Sequence, residues 1–122
     1  MAHEGYHEPL ESLGAATLER HRAIVSLMEE LEAVDWYDQR VSASDDASLE
    51  AVLAHNRDEE REHAAMLIEW LRRNDPGWDH FLRQYLFTDA DITEIEQAES
   101  AEPAIGADGS LGLGDLTGSP VP

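Results

Sequence analysis

Glu30, Glu60 and His63 are ionisable residues set where a helix would be apolar. Glu30 stands in Leu27-Met28-Glu29-Glu30-Leu31-Glu32, and helical spacing puts it on one face with Leu27, Leu31 and Val34. Glu60 and His63 continue a stripe through Leu49, Leu53, Leu67 and Trp70. A carboxylate placed in such a seam neutralises, pairs or binds a metal, because desolvating a lone charge is costly. A histidine three residues after a glutamate points from the same side of a helix, so the two can share or bridge one ion. The chemistry on offer is that of a carboxylate and imidazole cation site.

Two long helices must position these groups. Leu10, Leu13, Thr17, Ile24, Leu27, Leu31 and Val34 recur at spacings of three, four and seven, which predicts a first helix from about residue 10 to about residue 41, passing through Gly14. Ser42-Ala43-Ser44-Asp45-Asp46 supplies capping residues, and Leu49, Val52, Leu53, Asn56, Glu60, His63, Leu67, Trp70 and Leu71 mark a second helix to about Arg73. So short a connection folds the pair back as an antiparallel hairpin. Asn74-Asp75-Pro76-Gly77 ends the second helix, and Pro76 opens a shorter amphipathic element carrying Trp78, Phe81, Leu82, Tyr85, Leu86 and Phe87. Thr88-Asp89-Ala90-Asp91 caps a last turn or two through Ile92 and Ile95 to Ala98. Residues 1–98 are thus expected to form the helical domain, 99–109 a flexible linker poor in apolar residues, and 110–122 a separate tail.

A rise of about 1.5 Å per residue puts Glu30 about 16 Å and Glu60 about 20 Å from the hairpin turn, at similar heights. One hairpin offers only three ligands. A dimetal carboxylate site in a four-helix bundle takes one Glu from each of two helices and Glu-x-x-His from each of the other two. Two copies about a two-fold axis supply that set. The expected fold is therefore all-α, a half-bundle completed by homodimerisation. By itself Glu-x-x-His is a weak signal: with 16 Glu and 6 His it occurs twice, the second time as Glu4-Gly5-Tyr6-His7 in the irregular lead. Position in the stripe distinguishes the first. His55-x-x-x-Glu59 has the spacing used by haemerythrin-type carriers, but the first helix offers only His21 in support. His21 and His55 are expected on the surface or in polar networks, and Trp36 and Trp70 as packing anchors.

The chain has 122 residues, 27 acidic and 8 basic, for a formal charge of −19, which opposes nucleic acid and anionic lipid as partners. It has no cysteine, leaving carboxylate and imidazole as the metal ligands, a set that suits iron, manganese and zinc. No run of 18 apolar residues and no signal-like start are present, so a soluble cytoplasmic chain without membrane contact is expected.

Residues 28–40, Met28-Glu29-Glu30-Leu31-Glu32-Ala33-Val34-Asp35-Trp36-Tyr37-Asp38-Gln39-Arg40, then 55–66 from His55-Asn56-Arg57 to Met66, and Glu69-Trp70-Leu71-Arg72-Arg73 resemble the encapsulated ferritins, cargo proteins of bacterial encapsulin nanocompartments. The resemblance spans about residues 7–96. It implies a ferritin-like half-bundle, dimers assembling into an annular homodecamer, and ferroxidase activity in which two Fe(II) are oxidised by oxygen and passed on for mineral storage. Glu30, Glu60 and His63 of two subunits correspond to the iron ligands. Glu29 and Glu32 correspond to an acidic site for incoming metal, where calcium is a further ion expected to bind; Trp36 lies on that face, and Tyr37 is a candidate neighbour of the iron ligands. Ser110-Leu111-Gly112-Leu113-Gly114-Asp115-Leu116 resembles the encapsulin targeting peptide, with Leu111, Leu113 and Leu116 as apolar anchors for the shell wall. It departs from the usual pattern at Asp115 and Thr117 and in the extra Gly118-Ser119-Pro120-Val121-Pro122. The expected location is cytoplasmic, inside such a compartment. A different class of function fits the same residues, a non-catalytic metal-stabilised assembly or metal buffer.

Overall fold

The helix ends fall at the caps the sequence supplies, with one exception at the first. The computed structural model describes residues 5–101, and among them it is all-helical. Helix α1 spans Ala15–Ala43. The apolar periodicity places its start near Leu10, but Leu10–Ser12 form a separate 3-10 turn, and Leu13 and Gly14 are extended, with ψ of 132° and 162°. Glycine loses more freedom than any other residue on becoming helical and brings no capping oxygen. The turn therefore closes on itself, Leu13 N–H donating to Leu10 O at 3.0 Å, and the helix starts afresh.

Helix α2 spans Ala47–Asn74. The link between the two is the capping segment expected from sequence: Asp46 Oδ1 accepts from Leu49 N–H at 3.0 Å, and Ser44 Oγ accepts from Asp46 N–H at 3.2 Å. Arg57 Nη1 donates to Asp38 Oδ1 at 2.8 Å across the pair, while Glu30 lies 3.7 Å from His63. Going back along α1 from Asp38 to Glu30 goes forward along α2 from Arg57 to His63, so the helices run antiparallel.

The chain divides into two compact units, one up to Trp70 and one from Leu71 onward. In the first, Ala23 and Ala64 are buried, whereas Leu31, Val52 and Met66 are 51%, 54% and 57% exposed. Leu31 therefore does not sit in a buried seam beside Glu30. In the second unit Leu71 is fully buried. Helix α3 spans Pro76–Tyr85, with Pro76 at its first position and Asp75 capping it by accepting from Gly77 N–H at 3.0 Å. Asp79 on α3 holds Arg72 and, at 2.9 Å, Arg83. Helix α3 ends two residues before Phe87, which has φ of 61° and is fully exposed.

Helix α4, Ile92–Ala101, is capped by Asp91, which accepts from Thr93 N–H at 3.0 Å. It runs three residues beyond the end expected at Ala98, and it packs on α3, with His80 Nε2 3.9 Å from Glu99 Oε2. Leu111, Leu113, Leu116 and most of the expected linker lie outside the described residues. No described helix is long and apolar enough to cross a membrane.

Candidate metal centre

Glu30 is carried by the middle of α1, and Glu60 and His63 by successive turns of α2. The Asp46 cap sets the register of α2 at its start, and the Asp38 to Arg57 pair fixes the two helices one to two turns from the site. One ligand atom of each of Glu30, Glu60 and His63 lies within 4.8 Å of the other two. Among the described residues they are the acidic and imidazole groups so gathered. Nδ1 is the nitrogen of His63 turned to both carboxylates, 3.2 Å from Glu60 Oε1 and 3.7 Å from Glu30 Oε1.

The three groups are electrostatically linked. Glu30 is held above the usual carboxylate range, first by its hydrogen bond with Glu60, then by burial and by the negative charge of Glu60, against the opposing pull of His63. Glu60 is held below that range by the same hydrogen bond, with burial opposing and His63 assisting. The hydrogen bond thus favours the protonated form of Glu30 and the charged form of Glu60. His63 is raised, above all by its hydrogen bond with Glu60, with the charges of Glu30, Glu60 and Glu59 adding to it and burial opposing. A divalent cation there would compete with protons for the same donor atoms, which is how metal sites built from carboxylate and imidazole behave. Two carboxylates and one imidazole converging without a fixed cation are a donor set for iron, manganese or zinc.

The site is half open. The side chains of Glu30 and Glu60 are 27% and 25% exposed and that of His63 is 43% exposed. Helical spacing sets His63 on a flank of α2 with Val52, Met66 and Trp70, all substantially exposed.

The other residues singled out in the sequence are not among the three gathered. Glu29 and Glu32 are on α1, Glu29 exposed and Glu32 half-buried, outside the gathered three. Trp36, half exposed, lines an open cleft of about 320 Å³ with Gln39 and Arg40, and the Arg40 guanidinium stands 5.3 Å over the Tyr37 ring. His21 stacks on Tyr6 with ring centres 4.6 Å apart. His55 Nε2 lies 3.7 Å from Glu59 Oε2, so the haemerythrin-type spacing makes an ion pair on the surface of α2. The sequence admits a second reading of His63, as a histidine bonded to Glu60 or Glu59, and His63 faces both, with Nε2 3.8 Å from Glu59 Oε1.

The family described as EncFtn-like matches residues 5–89, which include all three gathered residues. The chain is similar to an encapsulated ferritin-like protein of Rhodospirillum rubrum, 62% identical over 92% of this chain and 87% of that one. It is also similar to a ferritin-like protein of Thermotoga maritima, 54% identical over 91% of this chain and 96% of that one. Among solved structures, a protein of Nitrosomonas europaea superposes with a TM-score of 0.70 at 61% identity, covering 73% of this chain and 98% of its own. With the family pattern spanning both long helices and relatives matching it over nearly their whole length, the chain belongs to the EncFtn-like family.

Proposed function

We propose that this protein is a ferroxidase, oxidising Fe(II) to Fe(III) with oxygen at a di-iron site formed between two copies of the chain. The observation that carries the reading is the convergence of Glu30, Glu60 and His63 from two helices. Three ligands per chain make half of the set that a two-iron carboxylate site in a four-helix bundle needs. A two-fold axis doubles them, and the exposed flank of α2 carrying Val52, Met66 and Trp70 is apolar surface for a second copy to cover.

Iron is the substrate here. Its binding competes with protons for the donor atoms of Glu30, Glu60 and His63. Oxygen-rich ligands favour Fe(III) over Fe(II), which drives electrons from the metal to oxygen. Glu29 and Glu32, with calcium as a competing ion, supply negative charge on α1 for incoming metal, and Trp36 lies on their side of the helix. About 97 described residues leave no volume for a closed mineral store within one chain. The names of relatives, one of them encapsulated, and the tail with Leu111, Leu113 and Leu116 support delivery of iron inside an encapsulin shell, with the dimers arranged as an annular homodecamer.

The test is anaerobic Fe(II) titration of the purified protein, followed by oxygen, with the ferric product read by absorbance. Rapid oxidation saturating near two irons per dimer, and lost in Glu30→Ala and His63→Ala, is the expected result. Tight binding without faster oxidation than buffer would make the site a structural centre or a metal buffer instead.

A further inference from the structure

We infer that Glu59 is a positioning residue for His63, holding the ring so that Nδ1 faces the metal. The inference rests on the reading of Glu30, Glu60 and His63 as a metal site. The two ring nitrogens of His63 face different carboxylates: Nδ1 the Glu60 and Glu30 oxygens, and Nε2 Glu59 Oε1 at 3.8 Å. Glu59 spans two imidazoles, for its other oxygen, Oε2, lies 3.7 Å from His55 Nε2. His55, Glu59 and His63 thus form one ladder along α2, each a turn from the next, with Glu59 in the middle.

The distance of 3.8 Å is that of an ion pair and is too long for a formed hydrogen bond. A small rotation of the exposed Glu59 side chain closes it. Once Nδ1 holds a cation, the remaining proton must sit on Nε2, and Glu59 is the acceptor that faces it. A carboxylate behind a ligating histidine fixes the tautomer and the ring plane and makes the imidazole a better donor to the metal. His55 gives the Glu59 carboxylate a second imidazole to face, one turn away on the other side. The residues that attracted notice as a haemerythrin-type pair thus serve as support behind the ligand.

Cobalt(II) binding to the full-length protein tests this with a probe whose readout does not depend on turnover. Glu59→Ala is expected to weaken cobalt binding by about 10- to 100-fold, and Glu59→Gln, whose amide oxygen still accepts, to recover most of the loss. Glu62→Ala removes an exposed acid from the same helix and should change affinity by no more than about threefold, the scale of a surface charge. In the cobalt protein the His63 ring N–H gives a paramagnetically shifted, solvent-exchangeable proton resonance. That resonance should be sharp in the wild type and in Glu59→Gln, and lost to exchange in Glu59→Ala. Affinity of Glu59→Ala equal to that of Glu62→Ala, with the resonance intact, would overturn the inference. Glu60→Ala separates the two levels of the argument: if it binds cobalt as the wild type does, the metal site itself is wrong, whereas if it alone loses binding, only the role of Glu59 falls.

Discussion

At the scale of single residues, Glu30, Glu60 and His63 are matched to a cation and mismatched to one another. Two carboxylates set so close that one is held above its usual range are not arranged for the stability of the metal-free chain. Glu30→Gln removes one member of that crowded pair while keeping its shape and a hydrogen-bonding amide. The expected outcome is an unchanged or slightly raised unfolding midpoint without metal, a gain of at most about 1 kcal/mol, together with loss of iron oxidation. Differential scanning calorimetry of the metal-free variant beside an oxygen-dependent oxidation assay measures both, and a large loss of stability would show that Glu30 serves packing. Glu60→Ala and His63→Ala, which delete proposed ligands outright, should slow oxidation by at least about 100-fold, since even supporting residues of metal sites cost 10- to 100-fold.

At the scale of elements, the helices were legible where capping and periodicity agreed and were misplaced where only periodicity spoke. Asp46, Asp75 and Asp91 each accept a backbone N–H at the start of α2, α3 and α4, and each stood just before an apolar pattern in the sequence. Near residue 10 the apolar spacing ran across Gly14, whose cost in a helix the spacing does not register, so α1 begins five residues late. The triad was legible because polar residues interrupted two apolar stripes at matching heights. Glu59 was legible as a neighbour of His63 but not as a support behind it, because an exposed glutamate looks the same in sequence whether it solvates a helix or faces a ligand. Asp79 was missed for a related reason: its role depends on Arg72, which arrives from another helix. Burial pushes the Asp79 carboxyl up, but hydrogen bonds and charge from Arg83 and Arg72 outweigh it and hold the group below its ordinary 3.8. A depressed carboxylate stabilises the fold fully above its unfolded value, and the contribution is lost as pH falls through the folded one. Asp79→Asn should therefore lower stability by about 1–3 kcal/mol at neutral pH, with the gap to the wild type closing below pH 3.8. Thermal unfolding of both proteins across that range checks the sign; a gap that widens in acid would contradict it.

At the scale of the whole molecule, the striking imbalance is between long helices and little buried apolar surface: of the described residues only Ala23, Ala64 and Leu71 are buried and apolar. Helices of 29 and 28 residues bury only two alanines between them in the first unit, which leaves long apolar flanks for a partner of matching length to cover. On the function proposed above, a second copy covers those flanks and completes the ligand set, which joins assembly to chemistry. Met66, 57% exposed and one turn beyond His63 on α2, offers a place to separate them. Met66→Asp puts a charge on that flank without touching a ligand, and burying an unpaired carboxylate at an interface costs several kcal/mol. The expected outcome is a shift by native mass spectrometry from the assembled form to a monomer that keeps Glu30, Glu60 and His63 yet oxidises iron no faster than buffer. Met66→Leu, which preserves the apolar contact, should retain both assembly and oxidation. If the Met66→Asp monomer oxidised iron at the wild-type rate, the three ligands of one chain would suffice and the site would not lie between subunits.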